Sequence, residues 1–307
     1  MSGKLFLVLL VLAFSLSSVS ATETDSLRSR PLGQRLSGAA LSLAMNAGIT
    51  EGLKASIHEM RPDRSGNNSF PSRHTSWSFA AASVIAHEGA AVSPWFALVP
   101  QAAASAVGFQ RVYERRHYAS DVFAGAAIGV ASTELGYWLA GLLFGNKLQY
   151  PSAKNLFRCQ LEVFTEAIWS FDNVFYCGYG SGLRGVIPVS ERWGINIASC
   201  GYTTPWKKTA LQKPLTSFSV TGGATYRILN PVESLALEGR AGIGFMHFWH
   251  NAFGKSNSFV GEAGVSASWQ FTPGLALKAT AGAKVYSVES SLYRAAITFS
   301  LGSVAVF

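Results

Sequence analysis

Phe259-Val260-Gly261-Glu262-Ala263-Gly264-Val265-Ser266-Ala267-Ser268-Trp269-Gln270-Phe271 alternates almost without a break. The odd positions carry Phe, Gly, Ala, Val, Ala, Trp and Phe, and the even positions from 262 carry Glu, Gly, Ser, Ser and Gln. Successive side chains of a strand point to opposite faces, so a period of two specifies a strand with one apolar and one polar face. The pattern continues outward. In Leu275–Val285, residues Leu275, Leu277, Ala279, Ala281 and Val285 stand against Lys278, Thr280 and Lys284. Tyr293–Leu301 and Leu235–Trp249 alternate too, and weaker segments lie at 158–171, 175–189, 193–203 and 215–228. Eight alternating segments of about ten residues are the pattern of an antiparallel transmembrane β-barrel, whose even strand count closes the sheet and removes its edges. Trp169, Phe171, Trp193, Tyr226, Trp249, Trp269, Phe271 and Tyr293 fall near segment ends, where an interfacial girdle is expected. A soluble barrel or sandwich with its apolar face inward is the competing reading. Side chains fill the interior of an eight-stranded barrel, so the expected role is an anchor and not a pore.

The rest of the chain supports the membrane barrel. Of 307 residues, 49% are hydrophobic and 14% charged, which excludes a disordered chain, and 30 glycines without a three-residue period exclude collagen. The net charge of +8 is spread thinly, with no Lys/Arg run longer than two, which argues for phosphate groups or an anionic membrane surface and against nucleic acid. Lys4, the apolar run Leu5–Phe14 and the small-residue site Val19-Ser20-Ala21 read as a signal peptide over 1–21, with an N-terminal membrane anchor as the lesser alternative. The closing Val304-Ala305-Val306-Phe307 resembles the sorting signal of bacterial outer-membrane proteins. Cys159, Cys177 and Cys200 allow one disulfide at most.

Upstream of Arg158 the pattern is helical. After a flexible lead over 22–34, helices are expected from Leu36 to His58, from Pro71 to about His87, from Pro94 to about Gly108 and from Ala119 to Gly145-Asn146. The expected fold is therefore a two-part α + β chain: an all-α bundle over 35–146, a linker over 147–157, and an eight-stranded antiparallel β-barrel over 158–307.

Three motifs in the helical part carry chemistry. Lys54-x6-Arg61-Pro62 spaces two cations by two helical turns, which predicts one shared face and a helix ended by Pro62, and suits a phosphate-like anion. Phe70-Pro71-Ser72-Arg73-His74-Thr75 opens a helix, whose first backbone N–H groups bind anions, with the Ser72 hydroxyl and His74 alongside. Arg111-x5-His117-x3-Asp121 puts a carboxylate four residues after an imidazole. On a helix that spacing lets Asp121 hold one ring nitrogen and leaves the other as a nucleophile. Taken singly, each motif also reads as a solvated face, a capping Ser, or a helix-start Asp beside an incidental His.

Together, in this order, they resemble the PAP2 superfamily: type 2 phosphatidic acid phosphatases, bacterial acid phosphatases and vanadium haloperoxidases. The resemblance spans roughly 36–145. It implies that Lys54, Arg61 and Arg111 bind phosphate oxygens, aided by Ser72 and by the backbone of Arg73 and His74. It implies that His117 attacks phosphorus, that Asp121 orients it, and that His74 protonates the leaving oxygen. It implies no metal and no cofactor. Two positions depart from the family pattern: Arg73 replaces a glycine, and either needs a different backbone fit or adds a phosphate contact, while Gln110 replaces the serine before Arg111.

The resulting expectation is a metal-independent phosphatase, acting on phosphomonoesters such as lipid A, phosphatidic acid or soluble phosphates through a phosphohistidine, and anchored in the outer membrane. The alternatives are a vanadate-dependent haloperoxidase or a non-enzymatic barrel with a degenerate helical domain. The expected partners are a phosphorylated substrate and the outer membrane, without nucleic acid. Neither substrate identity nor oligomeric state is readable. Glu88 and Glu134 interrupt the longest apolar helices, and a mid-helix carboxylate costs about 2.5–3.5 kcal/mol of insertion, so the helical domain is expected in the periplasm, water-soluble or against the inner leaflet, on the tether 147–157.

Overall fold

The computed structural model describes residues 31–89, 92–145, 158–171, 175, 177–205, 214–232, 234–249, 251, 254, 256–272, 275–288 and 293–306. The expected signal peptide, most of the lead and the linker 147–157 lie outside the described residues, as does Phe307. Four helices come first: α1 (Leu32–Ser56), α2 (Arg73–Gly89), α3 (Trp95–Tyr113) and α4 (Ala119–Leu143). Eight strands follow: β1 (Gln160–Ser170), β2 (Gly178–Pro188), β3 (Trp193–Thr204), β4 (Leu215–Val232), β5 (Leu235–Trp249), β6 (Asn257–Thr272), β7 (Leu275–Ser287) and β8 (Tyr293–Val306).

Each strand pairs antiparallel with the next, and β1 pairs with β8 from Gln160↔Val306 to Ser170↔Ala296, so the barrel is closed. The alternation in the sequence sets the two faces. In β6, Ser266, Ser268 and Gln270 turn inward and are buried, while Phe259, Val265 and Trp269 turn outward and are exposed. The interior is filled. At mid-height Arg184 Nη1 donates to Glu162 Oε2 at 2.8 Å, Lys278 Nζ meets Glu238 Oε2 at 2.8 Å, and Lys284 Nζ meets Glu166 at 2.7 Å and Glu262 at 3.4 Å. Toward the β1–β2 end an apolar plug including Phe164, Tyr202, Met246 and Phe248 closes the lumen. Charges taken out of water need partners of opposite sign, and here every interior carboxylate named has one.

Helix α4 is the centre of the helical part and packs against α1 and α2. Its small residues allow this. A Cβ on Gly125 would lie 2.7 Å from the Ser72 carbonyl oxygen, and one on Gly129 would lie 2.5 Å from the Ser76 carbonyl oxygen. Both separations are closer than a side chain tolerates, so only glycine admits the neighbouring backbone. The two acidic residues that interrupt the apolar runs turn inward to partners: Glu134 Oε1 lies 2.9 Å from His87 Nε2, and Glu88 pairs with Arg35 at 2.5 Å and accepts from Tyr137 at 2.7 Å.

The helices are not a separate body on a tether. Helix α3 lies on the outer wall of the barrel, along β1, β2 and β8. Leu98 packs with Val163 and Ala305, and Ala86 and Ala97 pack with Leu275. Near the other end of α3, Val112 packs with Tyr179, and Tyr179 donates from its hydroxyl to the Ser105 carbonyl at 3.4 Å. The three cysteines are free thiols.

Candidate phosphate site and its relatives

The candidate residues converge where the loop 57–72, the loop 114–118 and the first turns of α2 and α4 meet. Two placements differ from the helical spacing expected. Helix α1 ends at Ser56, and Ile57 is extended, so Arg61 lies in the loop beyond and does not share a helical face with Lys54. The Ile57 N–H still bonds the Leu53 carbonyl at 2.8 Å, but the extended backbone of Ile57 turns the chain out of the helix. The end therefore comes five residues before Arg61 and not at Pro62. Likewise α4 starts at Ala119, so His117 precedes the helix, and Asp121 reaches it across a capped turn, not along one helical face.

Asp121 is fully buried and joins three segments. Its Oδ2 accepts from the Ser69 hydroxyl at 2.6 Å and from the Tyr118 backbone N–H at 2.9 Å, and its carbonyl accepts from the Ser72 N–H at 3.0 Å. A carboxylate satisfying the first turn of a helix is favoured by orphan N–H groups and by the helix dipole. The Asp121 carboxylate stands 3.8 Å from His117 Nδ1, whereas the Ser69 carbonyl stands 2.8 Å from that nitrogen. A carbonyl only accepts, so Nδ1 carries the proton and Nε2 presents the lone pair. Ser69 thus links both: its carbonyl sets the tautomer of His117 and its hydroxyl holds Asp121.

The cations surround this pair. Arg61 and Arg111 each bury an Nε–H with no hydrogen-bond partner among the described residues. A buried guanidinium donor without an acceptor is costly, and a phosphate oxygen relieves it. His74, exposed in the first turn of α2, lies within electrostatic reach of Arg111, His117 and Arg61. Lys54 lies within reach of Arg73, Arg61 and Asp121, and its Nζ donates to the Asn68 carbonyl at 2.7 Å. Ser72 is buried, with its hydroxyl 2.9 Å from that of Thr75. The two departures turn elsewhere: Arg73, half-exposed, pairs with Glu51, and Gln110 donates to Glu114 at 2.8 Å on the surface.

Three participants carry no sequence signal. Ser69 acts through its carbonyl and its hydroxyl, Tyr118 through its backbone N–H, and Glu59 lies unmarked inside the x6 spacer. Burial, with the charge of Asp121 and a hydrogen bond to it, pushes the Glu59 carboxyl up to about 7. Asp63 fastens the two loops together: Arg116 donates to it at 3.0 Å, and its own N–H donates to the Arg115 carbonyl at 3.2 Å. Desolvation raises its carboxyl, but hydrogen bonds from Ser65 and the Arg116 charge outweigh it and hold the group below the ordinary range. Beside the site, burial and then the Asp121 charge push the Cys177 thiol up to about 12, which leaves it unreactive. Among the described residues no group of three His, Cys, Asp or Glu is placed to hold a metal.

The sequence model of the PAP2 superfamily matches residues 35–143. The lipid A 1-phosphatase of Porphyromonas gingivalis is 39% identical over 123 residues, which are 40% of this chain and 28% of that protein. Lipid phosphate phosphatase 1 of Arabidopsis thaliana is 35% identical over 97 residues, 28% of each chain. This chain thus spans under a third of the length of either relative. Among solved structures, the outer membrane enzyme PagL aligns with a TM-score of 0.33 at 16% identity, over 48% of this chain and 99% of that one. The attachment invasion locus protein Ail of Yersinia pestis aligns with a TM-score of 0.31 at 19% identity, over 48% and 97%. The three spaced motifs, their convergence around His117 and the family match make residues 35–143 of this chain a PAP2 superfamily domain, joined here to an eight-stranded barrel.

Proposed function

We propose that this chain is a metal-independent lipid phosphate phosphatase of the outer membrane, working through a phosphohistidine on His117. The observation that carries the reading is the His117 imidazole, held at Nδ1 by the Ser69 carbonyl, in a site where Arg61 and Arg111 each bury an Nε–H with no partner among the described residues. In this mechanism Lys54, Arg61 and Arg111 bind the phosphoryl oxygens, with Ser72 and the first N–H groups of α2. They stabilise the charge that develops in the transition state. Nε2 attacks phosphorus, the ester P–O bond breaks, and His74 gives the leaving oxygen its proton. Water then attacks the phosphohistidine, with His74 as base, to release phosphate. Asp121 acts on His117 through Ser69 and by its charge at 3.8 Å. The Arg73 side chain pairs with Glu51, so in this reading Arg73 serves the phosphate through its backbone N–H.

The class of substrate follows from the names of the relatives, both phosphatases of lipid phosphates, and from a barrel wall that presents Phe259, Val265 and Phe299 outward as a bilayer-facing surface would. In this reading residues 1–21 export the chain, 147–157 join the two parts, and 158–307 anchor it.

Rapid quenching with phosphorus-labelled lipid A, phosphatidic acid, a prenyl pyrophosphate and an aryl phosphate tests both claims. An acid-labile label on the protein, absent in His117→Ala, is expected with one of the lipid monoesters. Turnover by His117→Ala would sink the mechanism, and turnover of the aryl phosphate alone would sink the lipid assignment.

A further inference from the structure

Two of the four helices, α1 and α4, expose large apolar side chains while burying small polar ones, the reverse of a water-soluble surface. Helix α1 buries Gln34, Ser42, Asn46 and Thr50 on one stripe and exposes Leu32 and Leu36, each more than 60% accessible. Helix α4 buries Gly129, Ser132, Thr133 and Gly136 and exposes Leu135, Trp138, Leu142 and Leu143. In water the apolar residues belong in the core and the small polar ones outside. In a bilayer the order reverses, because close backbone packing and interhelical hydrogen bonds drive association and lipid covers the rest. Helix α4 is also long and apolar enough to cross a membrane.

The docking of these helices points the same way. The wall that receives α3 is the barrel's outward face: Tyr179 pairs with Ala167, on the opposite face from the interior pair Glu162↔Arg184. The contacts run the height of the wall, from Leu275 and Ala305 at one end to Tyr179 at the other. Helix α3 has 19 residues, about 28 Å, against an apolar band of about 25 Å on such barrels. Between α4 and the wall lies an apolar cleft of about 510 Å³, lined by Val130, Leu135, Trp138, Leu277 and Leu301 among others. Its lining suits an acyl chain.

The barrel also has a direction. The connections 189–192, 233–234 and 273–274 are short, and 171–177, 205–214, 250–256 and 288–292 are longer. Outer-membrane barrels keep short turns in the periplasm and longer loops outside. The turn from α2 to α3 sits at the short-turn end, with Ala86 and Ala97 on Leu275. The candidate site sits at the long-loop end, where Val112, Ala119 and Val122 pack with Tyr179 beside Cys177.

Resting on the outer-membrane phosphatase reading above, we propose that the four helices share the outer membrane with the barrel, docked on its lipid-facing wall, and that the site opens at the cell-surface rim. Its substrate is then a phosphorylated lipid of the outer leaflet. Exposed Arg64 and Arg116 on the rim loops complement the anionic headgroups there. Export is consistent with this placement. Unfolded, most of the helices are too polar to stop in the inner membrane. Folded on the barrel, their polar stripes face one another, and Glu88 and Glu134 meet Arg35, Tyr137 and His87.

The test is cysteine accessibility in intact Gram-negative cells expressing the full chain, in a background of Cys159→Ser, Cys177→Ser and Cys200→Ser. Asn67→Cys reports the site-side loop, Val92→Cys the opposite end of the bundle, and Glu191→Cys a short barrel turn. A membrane-impermeant maleimide is expected to label Asn67→Cys on intact cells, and Val92→Cys and Glu191→Cys only after the outer membrane is permeabilised. If Asn67→Cys needs permeabilisation, or if Asn67→Cys and Val92→Cys label from the same side, the placement is wrong. Heat-modifiable gel mobility verifies the fold of each variant, and Ser65→Cys replaces Asn67→Cys if that variant fails it. Labelling needs no turnover, so the outcome is independent of whether His117→Ala abolishes hydrolysis.

Discussion

His117 is held by a carbonyl, and Asp121 by a hydroxyl and a backbone N–H, so the roles of the two can be separated by experiment. Glu59 adds a pH dependence. Its folded-state value near 7 stands above the ordinary carboxylate value of 4.5, so the native state holds that proton more tightly than the unfolded chain does. The stabilisation is complete below about 4.5 and is lost as pH rises through about 7. The melting temperature of the wild type should therefore fall between pH 5 and pH 8 by more than that of Glu59→Gln, whose amide stays neutral throughout. Equal slopes in the two proteins would show that Glu59 does not share a proton with Asp121. The cation cradle makes a second prediction. Vanadate should inhibit competitively, since it mimics the five-coordinate phosphoryl state, and Arg111→Ala should weaken that inhibition at least tenfold. EDTA should change the rate little, and inactivation by EDTA that a divalent ion reverses would reveal a metal site.

At the scale of elements, the closeness of α4 to α2 holds the site together, because the Ser72 and Asp121 segments are joined across it. Gly129→Ala would push a methyl group against the Ser76 carbonyl and force the two helices apart. Overpacking of this kind costs about 1–3 kcal/mol. Gly48→Ala in α1 is the matched control: nothing lies within 4 Å of its added Cβ, and replacing a helix-interior glycine contributes roughly 0.5–1 kcal/mol of stability. Thermal melting of the two variants in detergent should move in opposite directions. Activity should fall with Gly129→Ala and stay level with Gly48→Ala.

For the whole molecule, the barrel is both an anchor and the floor on which the helices stand. Its filled interior predicts no ionic current in planar bilayers beyond the lipid background. The lumen pairs also carry stability. Glu162→Gln leaves the Arg184 charge, 2% exposed, without the carboxylate it pairs with at 2.8 Å. Breaking a buried pair costs about 3–5 kcal/mol. The temperature at which the folded band shifts on a gel should drop, and Glu162→Gln combined with Arg184→Met should recover most of the loss. A single variant as stable as the wild type would mean that water reaches the lumen and solvates Arg184.

The sequence by itself determined the strands, their inward and outward faces and the residues of the three motifs. Strand period is a local property, and in β6 the non-glycine residues from Glu262 to Gln270 declare their face by polarity alone, whereas apolar Val260 turns inward to the plug. The helices were legible to within a few residues for the same reason. The capped start of α4 was legible too, but the end of α1 at Ser56 was not, because the extended backbone of Ile57 decides it. Tertiary structure alone decided that Ser69 sets the imidazole tautomer, that Glu59 meets Asp121, and that Glu88 and Glu134 find partners between helices. It alone decided that the helices stand on the barrel wall. Each of these joins residues far apart in the chain, through backbone groups or single contacts that no spacing or periodicity encodes. A carboxylate that reads as an interruption in one helix becomes a satisfied partner once a second helix supplies the cation.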